Sequence, residues 1–188
     1  MRAAATLFRR NGYAATGINE IAELAGAPKG SLYHYFPDGK EQIGEAAVQF
    51  AGKGMVVTLE KLEMEHKSTV AIIQAYCQLL VGWMAKSGFR DGCPISTTLL
   101  EAAPQSVGIA LAGREAFAAW RGVFERTLVR DGFSKPDALR LSTLAVSSIE
   151  GALILARAER SGEPIEDVAR SLAMVLGKGV SSRKRPSR

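Results

Sequence analysis

The sequence predicts an all-α protein. Its seven prolines (Pro28, Pro37, Pro94, Pro104, Pro136, Pro164 and Pro186) leave proline-free blocks at 38–93, 105–135 and 137–163. Proline lacks an N–H and its ring clashes inside a helix, so these blocks are where long helices can run. Apolar residues recur at helical spacing, and the alternation of a half-buried strand is scarce. With 188 residues, 47% apolar and 23% charged, the chain suits one large domain or two small ones and is too apolar for wholesale disorder.

The elements follow in order. Residues 2–10 form a helix with Leu7 and Phe8 inward, stopped by Asn11-Gly12. Short helices cover 18–25 and 29–35. A long helix covers 39–65, with Gly52 and Gly54 as points where it can loosen, each costing ~1 kcal/mol against Ala. Ser68 caps a helix over 69–86. The Gly92-Cys93-Pro94 break precedes a short helix at 95–102. A helix over 106–131 ends at Gly132. Ser134-Lys135-Pro136-Asp137 starts a helix over 136–160. Gly162 and Pro164 separate it from a last helix at 165–178, and the polar, basic residues 181–188 are expected to be disordered.

Charge and cysteine usage exclude some functions. The net charge is +5, but Arg183, Lys184, Arg185 and Arg188 supply four of those charges. The high pI therefore describes a tail rather than the body, and nucleic-acid binding must be argued from a motif. Cys77 and Cys93 make neither a disulfide framework nor a zinc spacing, so both read as buried thiols and no metal is expected. No apolar run approaches the ~18 residues of a membrane span, and Met1-Arg2-Ala3 leads directly into helix without a signal-peptide core. A cytoplasmic protein is expected.

The informative segment is 16–45. Two short helices are joined by Ala25-Gly26-Ala27-Pro28. Ile21, Leu24 and Ala25 on the first and Leu32 and Phe36 on the second point toward one core, which is a helix–turn–helix needing a third helix for support. Helix 2–10, joined by Tyr13, supplies it. The second helix then exposes Lys29, Gly30, Ser31, Tyr33 and His34, a set of donors suited to a major groove. For the bare pair of helices, a generic solvated face is the more economical reading.

The local sequence changes that weighting. Gly12-Tyr13-Ala14-Ala15-Thr16-Gly17-Ile18-Asn19-Glu20-Ile21-Ala22, followed by Ala25-Gly26-Ala27-Pro28-Lys29-Gly30-Ser31-Leu32-Tyr33-His34-Tyr35-Phe36, resembles the DNA-binding domain of the TetR family of bacterial repressors. More distantly, Gly92-Cys93-Pro94-Ile95-Ser96 and the 150–158 segment resemble the LmrA/YxaF branch, whose members resemble repressors of multidrug-efflux and flavonoid-responsive genes.

The resemblance implies a DNA-binding domain at 1–46 and an effector-binding and dimerisation domain at 47–180. It implies that Ser31 and His34 contact bases and that Lys29 and Tyr33 make phosphate or mixed contacts. It places Lys40 on a phosphate, as a cation beside a helix N-terminus should be. Thr16 and Asn19 start the preceding helix, facing the other strand's backbone. Leu32, Tyr35 and Phe36 are assigned to packing. Two departures stand out. Gly17 replaces a hydroxyl residue common in the family, for which Thr16 can substitute, and the match begins inside the family's usual first helix, the basic arm common upstream being either absent or removed. Residues 1–45 carry five basic and five acidic side chains, so phosphate affinity rests on their placement.

In the second domain, Phe117, Trp120, Phe124 and Leu128 follow one helical stripe, Tyr76, Leu79, Leu80, Trp83 and Met84 another, and Phe50, Met55 and Leu59 a third. Most residues of such stripes are core. The resemblance nonetheless puts Phe50, Met55, Tyr76, Trp83, Met84, Phe117, Trp120 and Phe124 where the family keeps an effector pocket, and the absence of clustered charge implies a small apolar or aromatic, drug-like or flavonoid-like ligand. Ala145, Ser148, Ala152 and Ala156 make a small-residue stripe, with Ile149, Val168, Leu172 and Val175 beside it. Intramolecular packing explains the stripe. So does the family's four-helix dimer interface, whose two-fold symmetry suits a palindromic operator.

Enzymatic readings fare poorly. Glu101, Glu125, Glu150 and Asp167 are scattered, and no GxSxG, HExxH or P-loop occurs. The expectation is a ligand-released, homodimeric repressor without catalytic residues or a cofactor. The rivals are a helical small-molecule-binding protein or enzyme without specific DNA binding, and a nucleic-acid binder that acts through its basic tail.

Overall fold

The computed structural model describes the backbone of residues 1–183 and the side-chain environments through residue 177. Among the described residues the secondary structure is nine helices and no strand: α1 (Arg2–Asn11), α2 (Ile18–Ala25), α3 (Lys29–Tyr35), α4 (Lys40–Glu65), α5 (Thr69–Lys86), α6 (Pro94–Ala102), α7 (Val107–Arg130), α8 (Lys135–Glu159) and α9 (Glu163–Arg183).

Their ends follow from capping chemistry. Gly12, at φ 89°, turns the chain out of α1 while its N–H bonds the Phe8 carbonyl. Ser68 Oγ accepts the Ala71 N–H at the start of α5 (3.2 Å), and Ser134 Oγ accepts that of Asp137 at the start of α8 (3.2 Å). The break after α8 is made by Arg160 in the left-handed conformation. Pro164 lies in the first turn of α9, where its missing N–H costs nothing, so α9 starts earlier than the sequence suggested. It also runs further. Residues 181–183 are helical, contrary to the disorder expected there, and the rest of that tail, 184–188, lies outside the described residues.

The chain divides into two compact units. One comprises Met1–Met55 and Asp91–Ala118, the other Val56–Arg90 and the chain from Ala119 onward. Helices α4 and α7 each contribute residues to both. The core of the first unit gathers Ala4, Ala5, Phe8, Ile21, Ala22, Leu32, Ile43 and Ala47, with Leu7, Tyr13, Ile18 and Phe36 packed against it. Here α4 stays helical through Gly52, and a Cβ at that position would crowd the Ala116 side chain, so this glycine permits a close approach of α4 and α7.

In the second unit α9 packs on α5 and α8. Ile72, Ile73, Trp120, Phe124, Leu128, Ile149 and Ile165 are buried there. Asp131 accepts the Thr69 N–H (2.7 Å), tying the end of α7 to the start of α5. Glu63 of α4 receives both Arg126 (2.6 Å) and Arg130 (3.1 Å) of α7.

Helix α8 is long and apolar enough to pass a length-and-composition test for crossing a membrane, with a mean hydropathy of 1.4. Ala138, Ser142, Ala145, Ile149, Ala152 and Ala156 are buried within the unit, so one stripe of the helix packs against the rest of the protein. That burial also corrects the expected dimer stripe. Ala145, Ile149, Ala152, Ala156 and Leu172 are buried inside the unit, while Ser148 and Val168 are half-buried and Val175 is exposed. Small residues let α8 lie close to its neighbours, and the stripe is spent on that contact. The exposed face of α8 is one step round: Leu144, Ser147, Ile154, Leu155 and Ala158, with Ser148 and Gly151 at its edge. On α9 the outward apolar residues are Met174 and Val175.

Candidate nucleic-acid interface

The helix–turn–helix is built by local chemistry. Glu20 reaches back from the first turn of α2 to accept the Gly17 N–H (2.7 Å). At the other end Gly26 is left-handed (φ 62°, ψ 29°), its N–H bonding the Glu23 carbonyl and that of Ala27 the Ala22 carbonyl (both 3.0 Å). This is the Schellman arrangement, which requires a residue free to take positive φ. It turns the chain so that Pro28 leads into α3, where Ser31 N–H bonds the Pro28 carbonyl (3.0 Å). Leu32 anchors α3 in the core, and the opposite face is open.

That face carries most of the expected readers. Lys29, Gly30, Tyr33 and His34 are exposed, Ser31 is half-buried at the edge, and a Cβ at Gly30 would meet nothing within 4 Å. Asn19 is exposed on the first turn of α2. Tyr35, assigned to packing by its sequence, is 72% exposed and meets the His34 ring edge-on at 5.3 Å between centroids. Its i+4 relation to Ser31 is the signal that could have placed it on the reading face. Leu24 and Ala25 are also exposed, so the core side of α2 is formed by Ile18, Ile21 and Ala22 instead.

Thr16 is placed otherwise. It is 1% exposed, and its hydroxyl donates to the Gly12 carbonyl (2.7 Å). It closes the α1–α2 turn from inside. Neither a DNA contact nor substitution for the missing cap at Gly17 fits that position, and Glu20 supplies the cap. Lys40 Nζ donates to the Ala14 carbonyl (3.0 Å) and stands 4.6 Å from the centroid of the Tyr13 ring. Partial burial lowers its pKa, with Glu101 and Glu20 pulling it back up. A lysine has three N–H donors, so one bond to a carbonyl leaves others for a phosphate.

The expected effector residues are divided between the two units. Phe50, Met55 and Phe117 belong to the first unit; Tyr76, Trp83, Met84, Trp120 and Phe124 belong to the second. In the second unit the structure brings Tyr76 and Trp120 together edge-on (5.7 Å), with Met84 and Phe124 also buried, while Trp83 is 45% exposed on α5. Cys77 is buried and desolvation pushes its thiol up to about 12; Cys93 is half-buried at the start of α6. Among the described residues no cluster of three or more His, Cys, Asp or Glu side chains could hold a metal ion.

A helix–turn–helix supported by α1, with an exposed polar and aromatic face on α3, defines a helix–turn–helix DNA-binding regulator. Comparison with known proteins makes the class specific. Residues 1–58 match the bacterial regulatory proteins of the tetR family, and residues 69–171 match the C-terminal domain of LmrA/YxaF-like transcriptional regulators. The HTH-type transcriptional regulator YxaF of Bacillus subtilis is 32% identical over 178 residues, covering 95% of this chain and 93% of that protein. LmrA of the same organism is 30% identical, covering 94% of each. A TetR transcriptional regulator from Legionella pneumophila shares the fold, with a TM-score of 0.83 at 20% identity over 93% of each chain. The chain belongs to the TetR family of transcriptional regulators.

Proposed function

We propose that this chain is a ligand-released repressor, acting as a cytoplasmic homodimer on a palindromic operator and catalysing no reaction. The observation that carries the reading is α3, a helix held by Leu32 whose outer face offers Lys29, Ser31, Tyr33 and His34. Ser31 and His34 read base edges in the major groove; Lys29, Tyr33 and Asn19 fix the register on phosphates, and Lys40 adds a cation at the start of α4. Residues 1–46 form the DNA-reading part and 47–180 the effector and dimerisation part.

Two copies meet through α8 and α9. The exposed Leu144, Ile154, Leu155, Met174 and Val175 supply the apolar contact, and Ser147 and Gly151 permit close approach. Two-fold symmetry then sets two copies of α3 one DNA turn apart. The effector is a small apolar or aromatic compound bound beside Tyr76 and Trp120, where aromatic and methionine side chains make an adaptable wall.

The test is a mobility-shift assay with the DNA upstream of the chain's own gene, at defined salt. Saturable binding that survives a large excess of unrelated duplex supports the reading. Loss of that binding on deleting residues 181–188 alone would instead assign it to the basic tail.

A further inference from the structure

The turn between α1 and α2 is gripped on both of its polar edges. Glu101, on the last turn of α6, accepts the Ala14 N–H (2.5 Å), while Lys40, the first residue of α4, donates to the Ala14 carbonyl (3.0 Å). Gly12 lies against the same carboxylate, so closely that a Cβ there would collide with it. Four residues after Ala14 the chain enters α2, and the Gly26 turn locks α2 to α3. Ala14 thus sits in the link between α1 and the α2–α3 pair, which the shared core also packs against α1 and α4. The end of α1 is tied to the same stretch of chain. Asp91, just ahead of α6, pairs with Arg9 Nε and Arg10 Nε (both 2.9 Å), and the Gly92 N–H donates to the Arg9 carbonyl (2.8 Å). All of these groups lie in one compact unit.

We propose that Glu101 is a positioning residue for operator recognition: by holding the Ala14 N–H from α6, opposite Lys40, it fixes the angle at which α2 and α3 leave α1. The Asp91 ties hold α1 to the segment that carries Glu101, so that α6 and the reader keep one relative orientation. The bond from the Ala14 N–H to Glu101 is exposed, so water replaces it when it is lost and no buried polar group is left unsatisfied. Its leverage is geometric, because two readers must enter two half-sites at one fixed separation, and binding constellations lose function at displacements of about 0.5 Å or 10–20°.

The inference rests on the two-fold operator reading, and the experiment separates the two. Half-sites are first selected from random duplexes with the parent protein. Binding is then measured on inverted repeats whose spacer is the selected one, one base pair shorter, or one longer. Glu101→Ala, at an exposed position, is expected to lose about tenfold of the parent's preference for the selected spacer, with affinity for an unrelated duplex and the thermal midpoint unchanged. Glu101→Gln keeps a carbonyl acceptor for the Ala14 N–H and is expected to retain the preference. A Glu101→Ala protein with the parental preference overturns the proposal, and so does a Glu101→Gln protein as defective as Glu101→Ala. A parent with no spacing preference overturns the two-fold reading itself, and the positioning role with it.

Discussion

On α3, a difference of a single position separates a buried anchor from an exposed side chain. Leu32 is buried and Tyr33 is exposed, so the two neighbours do unrelated work. Ser31→Ala and His34→Ala should each weaken operator binding by ~1–3 kcal/mol while leaving the thermal midpoint unchanged. Equal affinity of both variants and the parent in a fluorescence-anisotropy titration would remove them as base readers. Lys40→Ala should weaken binding to all duplexes alike and reduce the salt slope by about one unit. A loss confined to the operator would mean that Lys40 acts on bases or through its bond to the Ala14 carbonyl, and not on a phosphate. The two thiols are distinguished by burial. Raising the Cys77 pKa to about 12 leaves almost no thiolate at neutral pH, so iodoacetamide should modify half-buried Cys93 first in the native protein. Mass spectrometry of digested peptides reads this directly, and equal labelling would contradict the buried placement of Cys77. Residue placement, as distinct from role, was legible where two independent signals agreed. His34 lies on an open helix face and within a family motif. Thr16 lies in the same family motif but on no helix face, and its hydroxyl closes on Gly12 through a turn that sequence spacing does not encode.

At the scale of elements, the helices were legible because proline, glycine and serine mark their ends through backbone chemistry alone. Ser68 and Ser134 cap where the sequence places them. What spacing could not decide was which side of α8 faces inward. Ala145, Ala152 and Ala156 are small, and small residues serve equally for close packing within a chain and between chains. In the second unit α9 packs on both α5 and α8, and the stripe is buried within the protomer. Ala152→Trp should therefore destabilise the protomer itself, by ~1–3 kcal/mol or more, seen as a lower urea midpoint. Leu155→Glu, on the exposed face, should leave that protomer stability nearly unchanged and yield monomers by sedimentation velocity. A dimer that survives Leu155→Glu but not an exposed substitution elsewhere would move the interface away from α8.

For the molecule as a whole, regulation requires that an effector and the operator favour different arrangements of the same dimer. A ligand shifts such an equilibrium only by its differential affinity for the two arrangements, and a tenfold loss of operator affinity needs ~1.4 kcal/mol of coupling. Linkage makes this reciprocal, so bound operator must weaken effector binding by the same factor. The two tryptophans provide separate reporters, because Trp120 is buried against Tyr76 and Trp83 is 45% exposed. Titration of the parent with flavonoids and with cationic drugs, followed by fluorescence and operator release together, should show quenching or a spectral shift that tracks release. The response should persist in Trp83→Phe and vanish in Trp120→Phe if the compound binds beside Tyr76. Release that proceeds with no change in Trp120 emission would place the effector elsewhere. A fluorescence response at unchanged operator affinity would leave a binding site with no regulatory coupling.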